Sequence, residues 1–585
     1  MRYIMEKEHS IKAKHFTEVL KKNRNWIVVY LAIGLFNAFT SNYKADCFQR
    51  IVDGLTDQTI TLYGILFYGA VLFVTYIMNY VDVYPTVKLE NDIYLDFKLL
   101  ALRKIGRMDY AEYQKLGTGK LIQQIENGAR AGKGVLYDFW FCVVRNLLPT
   151  ILFSLFFIWR IDPKITYFLL CGYVVVFIVT NLLLKCLYQI KEKILTNEEE
   201  LNHFLVRGFM EMPLFRLKRQ FPGELRKAMG AKRIIVAAKV KMSMIHEAFF
   251  TIFALLVACL DIGILIYAWK NGHLTVGAVV ALIALIENAY TPIAIFNVIY
   301  VQYKLNLTAW QRFAGVLDLK EDGELTQGLA FGTFAGEIRV ADLSLSYKSS
   351  SDEEKKVLRN LSLTIGKGEK VAFVGESGSG KSTLAKALVG LLKYEEGDIL
   401  FDGEPLRNFS LESLYEKLSY LSQDTPVFDG TIRENLVFDN IVPDEDVRAA
   451  MERVQLLPLL SSLEKGLDAR IGEKGACLSG GEKQRLALAR LLLDHSEIII
   501  LDEATSALDN VTESIVMKNV LEQAKDATVV SIAHRLSSIR EFDHIFVFKE
   551  GRIVESGSFE ELLAENGYFA ELYRKEKERG AFQSS

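Results

Sequence analysis

Long runs almost free of charge between residues 26 and 310 constrain this chain more than any other feature. A helix of roughly 20 apolar-dominated residues crosses ~30 Å of hydrocarbon. In lipid a spanning backbone must satisfy its own hydrogen bonds, so such runs fold as helices. Six segments qualify: 26–52, 61–83, 135–159, 165–188, 248–269 and 276–303. The first is polar in its outer half, at Lys44, Asp46 and Arg50. A basic stretch (Arg2, Lys7, Lys12, Lys14, Lys21, Lys22, Arg24) precedes it. The run continues past signal-peptide length with no convincing cleavage site, which predicts a retained helix. Phe16, Val19 and Leu20, set among Lys and Glu, predict a short amphipathic helix over 10–24 on the inner membrane face, part of an elbow at 1–25.

Loop charge sets the orientation. The link 53–60 has no Lys or Arg, and the links 160–164 and 270–273 are equally short. Segments 84–134 and 189–247 are long and basic. The excess of Lys and Arg on these inner segments predicts both termini in the cytosol of a multi-pass cell-membrane protein, a bacterial inner or plasma membrane being the expected setting. Each inner segment carries a break, MDYAEYQKLGTG at 108–119 and GFMEMPLFRLKRQF at 208–221, the latter with Pro213. Helices that turn at such points present short transverse helices, expected here as coupling elements; solvated loops are the plainer alternative.

At 585 residues the chain exceeds one domain. Its net charge of -3 gives no sign of nucleic acid, and no basic groove with interleaved aromatics is present. The six cysteines are scattered without a CxxC pair, so neither a disulfide framework nor a zinc site is suggested. A linker rich in Gly, Asp and Glu covers 313–336. From Glu337 short strands alternate with helices through 577, before a tail at 578–585; strands are predicted over 338–347 and 358–365. The expected fold class is a six-span α-helical membrane domain (26–312) followed by an α/β P-loop domain (337–577).

Residues 371–383, VAFVGESGSGKST, join an apolar strand to a glycine loop and a helix start. Gly375, Glu376, Ser377, Gly378, Ser379, Gly380, Lys381, Ser382 and Thr383 fit the phosphate-binding P-loop. Glycines let several backbone N–H groups converge on one anion, and the helix adds its positive dipole end. Lys381 is placed to lie along the β- and γ-phosphates of ATP, and the Ser382 hydroxyl to reach Mg²⁺. Further on, EIIILDE at 497–503 is an apolar strand ending in two acids. Strand-end acids are often caps; downstream of a P-loop they read as a Walker B pair. Asp502 would hold Mg²⁺ through water, and Glu503 would act as general base on the attacking water.

The segment LSGGEKQ at 478–484 opens another helix with Ser479 and two glycines. Together with the P-loop and the acid pair, it makes the C-terminal half resemble the nucleotide-binding domain of ABC transporters. The six-span half resembles their exporter-type membrane domain, by architecture rather than motif. The resemblance implies further roles. Tyr347 matches the aromatic that stacks on adenine. Gln423 matches the Q-loop glutamine that reaches Mg²⁺ and the attacking water. The segments TIRENL (431–436) and IGEKG (471–475) match exporter-type features. Residues 506–509 (SALD) match the D-loop, with Asp509 near the partner domain, and His534 matches the switch histidine on the γ-phosphate. Ser479, Gly480, Gly481 and Glu482 form the signature, with Glu482 where many relatives have Gln. One P-loop and one signature imply pairing with a second half-transporter; a homodimer is the first expectation and a heterodimer the alternative.

Within the spans, Asp82, Asp261, Glu287 and the group Lys44, Asp46 and Arg50 are candidate cargo-lining charges. Interhelical pairing is the competing explanation for each. The resemblance implies an exporter of peptide, lipid or amphipathic small molecule. An importer of a metal chelate on the same fold is the alternative, and a soluble ATPase acting on nucleic acid is a third reading that the six spans oppose.

Overall fold

The computed structural model describes residues 14–116, 118–271, 274–348, 354–472, 475, 477–533 and 535–583. It divides into two units, 1–106 with 116–319 and 107–115 with 320–585.

The first unit is helical. Its elements are α1 (14–22), α2 (Arg24–Thr56), α3 (Leu62–Ile105), the short α4 (Tyr110–Leu116, assigned in large part to the second unit), α5 (Thr118–Lys133), α6 (Leu148–Ile161), α7 (Pro163–Met210), α8 (Met212–Leu217), α9 (Phe221–Asn271) and α10 (Val276–Leu317). Caps fix several starts. The Thr61 side chain accepts from the Gly64 amide, Asp162 from Lys164 and Thr275 from Ala278. Pro163 follows Asp162 at the first helical position, where its missing N–H costs nothing. At 44 residues, α3 is ~66 Å long, about twice a hydrocarbon core, so it carries the second span onward as one helix.

Among the described residues five helical stretches are long and apolar enough to cross a membrane: Arg24–Thr56, Leu62–Ile105, Leu121–Ile161, Phe221–Lys270 and Val276–Leu317. The fourth expected span falls on α7, where the side chains of 174–186 and 188 lie outside the described residues. The most apolar stretch of α3 buries none of its residues. An apolar surface left uncovered over that length is stable only against lipid or another apolar surface.

Three of the six charges expected as cargo contacts, Asp46, Arg50 and Asp82, are paired inside this unit. Asp46 is held by Arg50 at 2.7 Å and Arg160 at 3.4 Å. Asp82 pairs with Arg145, whose guanidinium lies over the Tyr30 ring at 3.8 Å. Arg145 sits where the third span loosens into π-helical turns at Gly134–Phe141 and Val143–Leu147. Asp261 lies within electrostatic reach of Glu287. Phe16 stacks on Trp310 at 4.2 Å and meets the edge of Phe97, and Val19 is buried. The apolar residues of α1 therefore pack on protein, where a membrane surface was expected. Helix α10 runs through the fully buried Phe313 to Leu317, so the start of the expected linker is helical core.

The second unit contains two sheets. One is antiparallel, in the order β2-β1-β4-β5, from β1 (Glu337–Lys348), β2 (Glu354–Gly366), β4 (Glu396–Phe401) and β5 (Glu404–Pro405). The other runs β10-β9-β3-β8-β7-β6, with β3 (Lys370–Gly375), β6 (Leu418–Leu421), β7 (Ile498–Asp502), β8 (Thr528–Ile532), β9 (His544–Lys549) and β10 (Arg552–Gly557). All but β10 pair in parallel. β7 and β8 are buried at every position, as Val/Ile-rich strands covered on both faces must be. The unit starts before Glu337: Phe334 is fully buried and its amide donates to Glu497 at 2.8 Å, while Ala335 and Gly336 donate to Asp402. Met108 bridges Glu321 and Tyr110 packs on the core, which ties part of the first expected coupling segment to this unit.

Candidate active site

In a parallel sheet the strands end on one edge, and loops leaving that edge share one crevice. Here β3 ends at Gly375, β7 at Asp502 and β8 at Ile532, while β6 leads to Gln423. Register aligns them, with Asp502 opposite Ile532 and Leu421 opposite Leu501.

The loop after β3 has the form its glycines permit. Gly375 has φ +149°, and a Cβ there would sit 2.2 Å from the Phe548 carbonyl oxygen. Gly380, at φ +108°, precedes the helix Lys381–Leu388. Lys381 is buried, and its Nζ donates to the carbonyls of Gly375 at 2.7 Å and Glu376 at 2.9 Å and to Ser379 Oγ at 3.3 Å. Burial pulls its ammonium below the ordinary lysine range, against the pull of Glu503 and Asp502. A positive charge is thus held inside an anion-sized loop.

Across from it, Ser382 Oγ donates to Asp502 Oδ1 at 2.8 Å, and Tyr420 OH donates to Asp502 Oδ2 at 3.2 Å. Asp502 is only 2% exposed, and burial raises its carboxyl above the usual range. Among the described residues no cluster of three His, Cys, Asp or Glu forms a metal cage. One hydroxyl beside one carboxylate suits magnesium, which keeps waters and takes phosphate oxygens for its remaining positions. Tyr420 had no signal in the sequence beyond its place on a strand three residues before Gln423.

Glu503 leaves β7 with φ +55°, a left-handed conformation that is strained for a residue with a Cβ. Its amide donates to the Ile532 carbonyl at 3.3 Å, and its Oε2 accepts from Gln423 Nε2 at 2.7 Å. Gln423, Glu503 and residues 504–506 line a cavity of about 360 Å³. The structure therefore brings Lys381, Ser382, Asp502, Glu503 and Gln423 to one edge. Tyr347 lies near the end of β1 opposite Lys355, its side chain outside the described residues. His534 lies outside the described residues altogether.

The signature is built as a capped helix start. Ser479 caps Gly480–Asp494; its amide and hydroxyl both donate to Glu482 Oε2 at 2.7 Å, and the Glu482 amide returns a bond to Ser479 Oγ at 3.3 Å. The Ser479 hydroxyl and amide hold the Glu482 carboxyl below its ordinary range. Gln484, the last residue of LSGGEKQ and given no role of its own by the sequence, turns inward from the same helix. Its Nε2 donates to Ser506 Oγ at 2.9 Å and its Oε1 accepts from the Ala507 amide at 2.8 Å. Asp509 caps the next helix through the amides of Val511 and Thr512, and the Thr512 bonds depress its carboxyl.

Residues 358–506 match the family model described as ABC transporter. Over 316 residues the chain is 38% identical to the mitochondrial iron-sulfur clusters transporter atm1 of Aspergillus fumigatus, covering 52% of this chain and 42% of that one. It is 28% identical over 520 residues to the ATP-dependent lipid A-core flippase of Alcanivorax borkumensis, covering 87% and 86%. Its fold matches a bacterial Atm1-family ABC exporter with ATP bound, at TM-score 0.81 and 24% identity, over 94% of this chain and 98% of that one. Residues 358–506 carry the ABC transporter domain, and the chain has the fold of an Atm1-family exporter. An ATP-binding domain and a membrane domain thus share one polypeptide, and the crevice just described belongs to the former.

Proposed function

We propose that this chain is one half of an ATP-driven exporter, working as a pair by alternating access. The observation that carries the proposal is the continuous string Ser382–Asp502–Glu503–Gln423, complete and held at one sheet edge. Lys381 gives up its loop carbonyls for phosphate oxygens when ATP binds. Ser382, Asp502 and Gln423 would hold a magnesium ion, which would neutralise phosphate charge. Glu503, aimed by its strained backbone and by Gln423, takes the proton from the attacking water. His534 contacts the γ-phosphate. A signature beginning at Ser479 on the second chain closes over the nucleotide, so two chains make two composite sites.

Coupling rests on differential affinity: ATP binds the closed pair more tightly than the open one, and closure opens the membrane cavity outward. Residues 108–119 and 208–221 transmit it from cytosolic extensions, with both termini on that side. The lipid A-core handled by the flippase relatives and the aromatic-rich spans favour an amphipathic cargo. The test is ATPase activity of purified protein in lipid, beside E503Q. The parent should hydrolyse ATP, and E503Q should bind it with hardly any turnover. Near-parental hydrolysis by E503Q would remove Glu503 from its role.

A further inference from the structure

The D-loop segment 506–509 is fastened from two sides by residues to which the motif assignments give no role of their own. From one side comes Gln484, 5% exposed, with its two bonds to Ser506 and Ala507. From the other comes Arg535, the residue after the switch position. One guanidinium nitrogen donates to the Leu508 carbonyl at 2.9 Å, and the other pairs with Glu513. Glu513 is 5% exposed, and its second oxygen accepts from Thr505 Oγ1 at 2.8 Å. Glu513 stands on the helix Asn510–Gln523 that Asp509 caps. The chain from Thr505 to Asp509 is therefore gripped at Thr505, Ser506, Ala507 and Leu508 by buried, charge-assisted or bidentate contacts.

Such a grip has a mechanical meaning. A planar, two-pronged guanidinium fixes distance and direction together, which a flexible ammonium does not. Breaking one partner of a buried charged bond leaves the other uncompensated, so the loop is held in one of a few discrete positions. Gln484 carries the loop with the signature helix; Arg535 carries it with the segment after β8.

We infer that Arg535 is a positioning residue that sets the 506–509 loop for the opposite composite site, making the loop follow the nucleotide-sensing segment of its own chain. This rests on the paired-chain reading above. Gln484 then fixes the loop to the signature that closes on that same opposite nucleotide. Arg535 lines the same cavity as Glu503 and Gln423 of its own chain, so placing its loss on each copy in turn separates a local effect from one passed through the loop.

The test uses the full chain in two differently tagged copies, co-expressed and purified through both tags. In the reference pair one copy carries E503Q, leaving one working acid. In the first arrangement R535A is added to that same copy, so the working acid faces the altered loop. In the second, R535A is placed on the copy that keeps Glu503. The first arrangement should lose about tenfold in kcat with the KM for ATP unchanged, and the second less than about twofold. R535K should restore only part of the loss, because it keeps the charge on Glu513 without the second prong. Equal losses in both arrangements overturn the inference. Backbone hydrogen exchange at 505–512 gives a readout that needs no pairing: it should rise several-fold in R535A, and unchanged exchange also overturns the inference. If the two tags never purify together, pairing of like chains is what fails, and the exchange experiment still decides the role of Arg535.

Discussion

Asp82 was a candidate cargo contact by sequence, and the structure gives it a partner strong enough to test. Arg145 is 5% exposed; it pairs with Asp82, lies 3.3 Å from Thr86 Oγ1, and spreads over the Tyr30 ring at 3.8 Å. Gly34 makes room for it, since a Cβ there would sit 2.0 Å from the Arg145 Cγ. Asp82→Leu removes the carboxylate that pairs with a guanidinium that cannot shed its proton. Removing one member of a buried pair costs about 3–5 kcal/mol, while replacing both members with apolar groups of similar volume is near neutral. The assay is a double-mutant cycle of thermal stability in detergent or nanodiscs, with Asp82→Leu, Arg145→Met and the double variant. Each single variant should be strongly destabilised and the double should regain most of the loss. If the singles add, the pair does not hold these helices, and the account of this region is wrong. If all three variants are stable but transport falls, Asp82 belongs to cargo handling after all.

Three further outcomes follow from the second unit. Gly375→Ala should abolish ATP binding in an equilibrium nucleotide assay, because its Cβ would collide with the Phe548 carbonyl oxygen at 2.2 Å. Ser382→Ala should raise the magnesium concentration needed for half-maximal ATPase activity several-fold, because the hydroxyl beside Asp502 is lost; an unchanged magnesium titration would refute that role. Glu482→Gln should leave stability near parental, because Gln also completes a capping box. Glu482→Ala should destabilise, and the pH dependence has a definite sign. The folded-state pKa is depressed by the Ser479 bonds, so the carboxylate's contribution is fully present above about pH 4.3 and fades as pH falls through the lower folded value. The melting-temperature gap between parent and E482A should therefore be flat near neutrality and close in acid.

The parts of this molecule legible in the sequence are those where chemistry forces a local pattern. Gly375 and Gly380 had to be glycine for backbone reasons, and both have positive φ. The apolar run before Asp502 reads as a strand buried on both faces, and β7 is one. What stayed hidden was decided by long-range packing. Nothing local to Arg145 announces that Asp82, Tyr30 and Gly34 from two other helices surround it. Phe16 looked like membrane-facing surface because its partners Phe97 and Trp310 are far away in sequence. Tyr420 and Gln484 are ordinary residues for a strand and a helix, and only the fold turns them toward Asp502 and the 506–507 backbone. Glu503 was named for its acid, but its left-handed backbone, which aims that acid, has no sequence signature.

The central claim is that hydrolysis at Glu503 drives an amphipathic cargo out of the cytosol. It is tested most directly by ATP-dependent accumulation of a fluorescent lipid and of a lipophilic cationic dye in inside-out vesicles containing the full chain. The account predicts uptake of at least one probe with ATP and magnesium, and its loss in E503Q. ATP-driven depletion of preloaded vesicles, or uptake undiminished in E503Q, would contradict it.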